Sequence, residues 1–384
     1  MAQARSGSHL AALDGLRGVA AAVVVFHHWF NALAMPREVR RVLFEGVLAP
    51  FANGQGAVVV FFMLSGYVLA NSLARGRGPI DWPVFYTKRV FRIHPPYVFA
   101  LLFAWTASFY YVRDFGAERG LTHVMWQMAQ VHLAPAELLA ASLYPSGAGG
   151  QVSVGWTLRV EMIFSLLLPF LALAARWRHG IPLVAASLAT FALDYAWNDL
   201  WYAVDFVAGV VLFQQRDVVG RVLRRTPRLL HAALPALGVG ILCVPHLLGW
   251  SHAAGGILVA GWDRRDIFVM APGAALLVAC AVALPGFARV LSRPPLRALG
   301  RISFSLYLLH VPILNLLAPR IVSPQIAWSG FALLVALVAV VVPASIACHR
   351  WIELPSIALG NRVCRSWAAR LGSPPLESHA ADAA

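Results

Sequence analysis

Charge is what this sequence lacks most. Only 12% of its 384 residues are charged and 59% are hydrophobic, whereas an average soluble domain has about 25% charged and 45–50% apolar residues. So little charge excludes an ordinary soluble protein. Because apolar runs close to the roughly 20 residues that cross a bilayer recur along the whole chain, we predict an all-α, polytopic integral membrane protein with about ten transmembrane helices.

Cysteine and acidic residues are also scarce. The four cysteines, Cys243, Cys280, Cys348 and Cys364, form no C-x-x-C pair, a spacing that implies neither a disulfide framework nor a metal site. We therefore expect no bound metal and no bound cofactor. The 17 acidic residues leave a net charge of +14, but the basic residues lie in short runs between apolar stretches, where they set membrane orientation. We expect no nucleic-acid partner.

The apolar stretches predict ten spans, with the lipid bilayer as their partner. Most of the 31 Lys and Arg residues fall on segments that are cytoplasmic if the N-terminus is inside, so the positive-inside rule places both termini in the cytoplasm. We divide the chain into an N-terminal cytoplasmic segment (1–12), a membrane domain (13–358) and a cytoplasmic tail that we expect to be disordered (359–384). The predicted spans are 17–34, 56–74, 95–112, 155–175, 180–197, 199–214, 229–249, 267–285, 301–319 and 326–347.

The stretch LDGLRGVAAAVVVFHHWF, residues 13–30, opens the first predicted span with ionisable groups. On a helix, Arg17 and His28 would lie roughly 20° from eclipsed and about 16 Å apart along the axis. Asp14 lies at the same mouth, whereas His27 is turned away by about 100°. Ionisable residues inside a membrane segment are functional candidates. The alternative is that the histidines form interhelical hydrogen bonds and that Arg17 reaches the interface as a topology signal.

A compact basic group precedes the third predicted span, in FYTKRVFRIHPPY, residues 85–97. Arg89 and Arg92 lie at i, i+3 on one helical face, beside Lys88. Arginine binds phosphate through paired N–H donors, so this group suits the phosphates of a cytoplasmic ligand. Membrane anchoring by the positive-inside rule is the alternative.

A polar stripe is predicted on the apolar helix of SVGWTLRVEMIFSLLLP, residues 153–169, because Thr157, Glu161 and Ser165 recur every four residues. A carboxylate inside a span must be paired, protonated or open to a water-filled cavity. We expect an imidazole as its natural partner, which Glu161 would orient and make more basic. The alternative is a structural ion pair, with Arg159 or with a residue of another helix.

Another helical face carries hydroxyl and imidazole groups, in GRISFSLYLLHVPI, residues 300–313. Ser303, Tyr307 and His310 fall within about 60° of one another. Helix packing through hydrogen bonds explains the serine, so Tyr307 and His310 are the candidates from this segment.

A small pair, Ser65-Gly66, lies in FFMLSGYVL in the second predicted span. Such a pair permits close helix approach or a kink, and Ser65 is a secondary candidate together with Asp14 and Lys88. Asp205 in the sixth predicted span is a weaker candidate to which we assign no role.

Together these elements resemble the membrane acyltransferase-3 family of bacterial O-acyltransferases, which modify cell-surface sugars and glycosides. The similar elements follow the family's order over roughly residues 10–355: LDGLRG with its downstream histidine, FFMLSGY, KRVFRIHPPY, VGWTLRVEM and GRISFSLYLLH. The resemblance implies about ten helices, a cytoplasmic acyl-CoA co-substrate, usually acetyl-CoA, and an acceptor hydroxyl presented toward the outer side. It carries over five functional positions, which are Arg17, His28, Arg89, Arg92 and Glu161.

On this interpretation Arg17, Arg89 and Arg92 bind acyl-CoA. His28 removes the proton of an acceptor hydroxyl or takes up the acyl group itself, and Glu161 orients its ring. The implied acceptor is a carbohydrate, such as an exopolysaccharide, a lipopolysaccharide or another glycoside. A soluble extracytoplasmic protein or polysaccharide-synthesis proteins are expected partners, and the expected location is the bacterial cytoplasmic (inner) membrane.

Two other functions use the same polar residues. A transporter or flippase would move an acyl donor or a lipid-linked sugar without forming an ester. A scaffold subunit of a polysaccharide-export complex would use the polar groups only for packing.

Overall fold

The computed structural model describes residues 2–74, 81–113, 120–145, 152–193, 198–248 and 264–370. These residues form helices and no strands, which confirms the predicted all-α class. A helix satisfies every backbone N–H and C=O group within its own segment, which a lipid environment demands. The helices are α1 (Ala2–Ala32), α2 (Arg37–Glu45), α3 (Ala49–Ala52), α4 (Gly54–Ala74), α5 (Trp82–Ser108), α6 (His123–Gln130), α7 (Pro135–Leu143), α8 (Gly155–Ala174), α9 (Ile181–Leu193), α10 (Ala203–Gln214), α11 (Arg216–Arg225), α12 (Leu230–Leu247), α13 (Arg264–Ala283), α14 (Pro285–Leu291), α15 (Pro294–Ile321), α16 (Ser329–Cys348) and α17 (Leu354–Arg370).

Each of the ten predicted spans coincides with a helix over its described part, and their ends at 194–197 and 249 lie outside the described residues. Among the described residues, six helical stretches are long and apolar enough to cross a membrane: Gly54–Ala74, Gly155–Ala174, Leu230–Leu247, Arg264–Ala283, Pro294–Ile321 and Ser329–Trp367. Polar side chains interrupt α1 and α5, and α9 and α10 have 13 and 12 residues. The chain is a multi-pass membrane protein, while the count of ten spans and the cytoplasmic placement of both termini stay predictions.

The helices at both ends of the described chain extend beyond the predicted spans, while the division into a membrane domain and two cytoplasmic ends stays a prediction. The first helix begins at Ala2, inside the segment 1–12 that we expected to precede the first span. The tail, expected to be disordered from residue 359, is helical to Arg370, and 371–384 lie outside the described residues. This helix forms because α17 packs on α5, where Ser356 Oγ donates a hydrogen bond to Phe91 O.

The chain divides into two compact units. Unit 1 comprises Met1–Arg77 and Leu166–Gly300, and unit 2 comprises Gly78–Ser165 and Arg301–Ala384. Each unit is described below by its own contacts.

Glycines bring two helix backbones together in unit 1. A Cβ atom on Gly66 of α4 would collide with the carbonyl oxygen of Phe206 on α10, and one on Gly209 of α10 would collide with that of Met63 on α4. Small residues at such contacts are the usual means by which membrane helices associate, because they let dispersion contacts form along the whole crossing. The glycine of the predicted Ser65-Gly66 pair therefore serves close helix approach.

The helices α4 and α10 run parallel. The ring of Phe62 lies 4.8 Å from that of Tyr202, and farther along both segments the ring of Tyr67 lies 5.5 Å from that of Phe213. Both residue numbers rise together, so the two helices point the same way. If successive spans cross the membrane in alternating directions, as predicted, then the second and sixth spans must point the same way.

In unit 2, α16 passes into α17 through a π-helical turn, His349–Glu353. Glu353 is buried, and its Oε2 atom accepts hydrogen bonds from Ser305 Oγ at 3.0 Å and from His349 Nδ1 at 2.9 Å. A buried carboxylate needs such donors, because an unpaired charge in apolar surroundings costs several kcal/mol. This network ties α15 to the turn and thereby fixes the segment that carries Tyr307 and His310.

We expect Gly66→Ala to destabilise unit 1, because the added methyl group would meet the Phe206 carbonyl and force α4 and α10 apart. Overpacking of this kind costs about 1–3 kcal/mol. The measurement is the thermal unfolding midpoint of the purified protein in detergent. Gly240→Ala on α12 is the matched control, since its methyl group would meet no described atom within 4 Å. Equal midpoints for the two variants would contradict this account of the packing.

Candidate active site

Both glycines of the LDGLRG motif lie at close backbone contacts in unit 1. A Cβ atom on Gly15 would collide with Leu291 O at the end of α14, and one on Gly18 would lie 2.6 Å from Gly300 N in α15. Helix α1 therefore rests directly on these two segments. The glycines are packing residues. Because they fix the position of α1 against these segments, they also fix the positions of Asp14 and Arg17.

Asp14 and Arg17 form a loose pair on α1. Arg17 Nη1 lies 3.9 Å from Asp14 Oδ1, which is beyond hydrogen-bond range, and each side chain is 19% exposed. Because α1 is continuous from Ala2 to Ala32, Arg17 and His28 share a helical face as the spacing predicted. The Arg17 side chain is thus partly exposed at one end of this face.

The hydrogen bond of His28 sets its tautomer. Nδ1 lies 2.9 Å from Val24 O, four residues earlier on the same helix. A carbonyl oxygen can only accept, so Nδ1 carries the hydrogen atom, and in the neutral ring Nε2 carries the lone pair. This is the state that a general base or a nucleophilic imidazole requires.

The predicted stripe on α8 is the centre of a polar cluster in unit 2. Arg89 Nη2 donates to Glu161 Oε1 at 2.7 Å and to Ser165 Oγ at 2.9 Å, and Arg89 Nε lies 3.2 Å from the same hydroxyl. The Arg89 and Glu161 side chains are only 11% and 24% exposed. The polar stripe on α8 and the basic group on α5 were predicted separately, and Arg89 joins them through these hydrogen bonds.

This pairing decides between the two partners that the sequence left open for Glu161. Its carboxylate binds a basic residue of another helix, and the expected bond to an imidazole is replaced by the bond to Arg89. Arg89 in turn uses Nε and Nη2 for hydrogen bonds within the protein, so fewer of its N–H donors remain for a phosphate. Arg92, three residues farther along α5, and the neighbouring Lys88 are both half-buried and keep that candidate role.

Tyr307 and His310 extend the polar cluster of unit 2. A hydrogen bond of 2.9 Å joins Tyr307 OH to Thr157 Oγ1 at the start of the α8 stripe. His310 Nδ1 lies 3.2 Å from Leu306 O, and its ring centre lies 5.9 Å from that of Tyr307. The predicted hydroxyl and imidazole face is therefore buried against the stripe.

Three further polar positions are Ser65, Asp205 and Glu353. Ser65 is half-buried on α4 beside Gly66. Asp205 is fully buried in α10, and neither of its carboxylate oxygens has a hydrogen-bond partner among the described residues. The sequence did not single out Glu353, although a histidine four residues before it, His349, was a readable signal for an i, i+4 pair. No cluster of His, Cys, Asp or Glu in the described ranges could hold a metal ion.

The fold and these sites define a multi-pass helical membrane protein with acid–base groups inside its helices. A family model described as an acyltransferase domain matches residues 10–350. The chain thus belongs to the acyltransferase-3 family and is an acyltransferase. The O-acetyltransferase PaAT-1 of Phomopsis amygdali is 26% identical over 364 residues, covering 79% of this chain and 72% of that protein. No solved structure matches the chain.

We expect the Arg89–Glu161 pair to show strong coupling in a double-mutant cycle. Arg89→Met or Glu161→Leu alone leaves a charge unpaired in a half-buried site and lowers the free energy of unfolding. The double variant recovers part of that loss, with a coupling energy of about 1–3 kcal/mol. Chemical unfolding in detergent measures all four proteins, and additive losses would mean that the contact contributes no stability.

Proposed function

We propose that this protein transfers an acyl group, in the simplest case acetyl, from cytoplasmic acyl-CoA to a hydroxyl group of a carbohydrate. Its place would be the bacterial cytoplasmic membrane. The family supports acyl transfer, and the O-acetyltransferase of Phomopsis amygdali supports oxygen as the acceptor atom and acetyl as the group. The observation that carries the proposal is the Nδ1 bond of His28, because in the neutral ring it places the lone pair, the group that a general base uses, on Nε2.

In the proposed reaction, His28 Nε2 takes the proton of the acceptor hydroxyl as its oxygen attacks the thioester carbonyl. The new C–O bond forms, the C–S bond breaks, and the departing CoA thiolate receives the proton from the imidazolium. The histidine returns to its neutral state. A variant of the same chemistry passes the acyl group through His28 itself, and both are open to a nucleophilic imidazole.

The basic residues supply the binding side of the proposal. CoA carries several phosphate charges, and arginine and lysine bind phosphate oxygens through charge-assisted hydrogen bonds. Arg92 and Lys88 on α5 and the partly exposed Arg17 on α1 are the basic groups to which we assign this role. Arg89 instead holds Glu161 and Ser165 in place and so acts on the shape of the polar cluster.

We expect His28→Ala to abolish transfer at normal membrane levels, because a general base or nucleophile contributes about 100- to 10,000-fold in rate. Membranes are incubated with radiolabelled acetyl-CoA and an extract of envelope glycans, and base-labile label on glycan is counted. His231→Ala, at a histidine that binds Thr226 O outside the site, should keep full activity. Retained transfer in His28→Ala would refute the assignment. Label that crosses the membrane without entering an ester would favour a transporter.

We expect Arg92→Gln to raise the KM for acetyl-CoA about 10- to 100-fold with little change in kcat, because one charge-assisted bond is worth about 1.5–3 kcal/mol. Initial rates over a range of acetyl-CoA concentrations measure both constants. Arg225→Gln, at an exposed arginine in the last turn of α11, is the charge-matched control. A fall in kcat alone, with KM unchanged, would exclude a donor-binding role for Arg92.

A further inference from the structure

Both ring nitrogens of His27 are engaged in hydrogen bonds. Nδ1 lies 2.6 Å from Ala52 O, and Nε2 lies 2.9 Å from Asn31 Nδ2. Because the carbonyl only accepts and the amide nitrogen only donates, Nδ1 carries the hydrogen atom and Nε2 accepts. A ring bonded in this way at both edges has its orientation fixed, and neither nitrogen is suited to proton transfer.

The Ala52 carbonyl group that binds His27 is itself held in place within unit 1. Ala52 ends the short helix α3, and the following residue, Asn53, donates from Nδ2 to Leu242 O of α12 at 2.7 Å. Asn53 Oδ1 accepts from Gly56 N at 2.7 Å and so caps the first turn of α4. The carbonyl that holds His27 therefore belongs to a junction tied to two other helices.

Gly54 packs against the side chain of His27. A Cβ atom at that position would lie 2.5 Å from His27 Cγ and 2.7 Å from Cδ2, far inside van der Waals contact. The His27 side chain therefore packs directly against a backbone position that has no side chain. Any larger residue at position 54 has to displace the ring of His27.

The ring of His28 packs against the ring of His27. The ring centres of His27 and His28 are 5.3 Å apart, and their planes are inclined at 83°. This edge-to-face arrangement is a favourable geometry for aromatic rings. The bond of His28 to Val24 fixes its tautomer, and the ring of His27 limits its rotation about the side-chain bonds.

We propose that His27 is a positioning residue, whose ring is clamped between the Ala52 carbonyl, the Asn31 amide and Gly54 and holds the imidazole of His28 in the orientation for proton transfer. The inference rests on the proposed function, in which His28 is the base or nucleophile. His27 is turned away from the face that Arg17 and His28 share, so its proposed role is indirect and acts through the ring of His28.

Gly54→Ala tests the proposal by moving the ring of His27 without altering any ionisable group. We expect kcat to fall about 10- to 100-fold, because misplacement of a reacting group by about 1 Å can cost 100-fold. The KM for acetyl-CoA should stay within about twofold of the native value, since donor binding is assigned to other residues. The control Gly240→Ala, whose methyl group would meet no described atom within 4 Å, should keep both constants.

A second pair of variants covers the case in which Gly54→Ala fails to fold. His27→Asn adds no atoms and retains an N–H donor near the position of Nδ1, so it should keep more kcat than His27→Ala, while both fall below the native protein. Gly54→Ala placed in the His27→Ala background should then lower kcat by a smaller factor than it does in the native protein, because Cγ and Cδ2, the two ring atoms nearest to the added methyl group, are gone.

The outcomes separate the two proposals. Full kcat in His27→Ala and His27→Asn, or in a folded Gly54→Ala, would overturn the positioning role, as would equal and additive losses in the double variant. Retained transfer in His28→Ala would instead overturn the proposed function. A loss confined to KM would move His27 from positioning to binding and would likewise refute the inference.

Discussion

A charged group inside an apolar helix bundle must be paired, and the bond of Arg89 to Glu161 and Ser165 meets that demand in unit 2. Separating either charge from water costs several kcal/mol, which is returned only when geometry and additional hydrogen bonds are good. Here the guanidinium binds the carboxylate and the hydroxyl of successive turns of α8. The polar face of that helix is therefore directed at α5, and this sets the rotation of the helix that also brings Thr157 to Tyr307.

A second constraint acts on the backbones. In unit 1 the glycines of LDGLRG and of FFMLSGY lie where another helix backbone touches their own. In a lipid solvent the hydrophobic effect does not drive helices together, so close dispersion contacts must do so, and these need small residues. The chemistry-bearing residues beside these glycines, Arg17 and Ser65, thus occupy positions that packing has already fixed. Each of these two motifs therefore combines packing glycines with polar residues.

The sequence predicts those parts of the structure that depend on one helix at a time. The helical class, the shared face of Arg17 and His28 and the polar stripe of α8 all follow from helical periodicity, and the described helices show each of them. Partner choice depends on helices far apart in the chain, so the preference for an imidazole beside Glu161 was wrong. The helical tail was missed for the same reason, because its residues are polar and the helix to which they belong packs on α5, which is distant in the chain.

Two histidines in the chain share one hydrogen-bond pattern, and accessibility separates their roles. His28 and His310 each direct Nδ1 to the carbonyl four residues earlier, so in both the neutral ring carries its lone pair on Nε2. His310 has 0% of its surface exposed and lies against Tyr307, whereas His28 is partly exposed. A base must touch the hydroxyl that it deprotonates. The helix therefore gives the same tautomer to both rings, and exposure favours His28 over His310 as the proposed base.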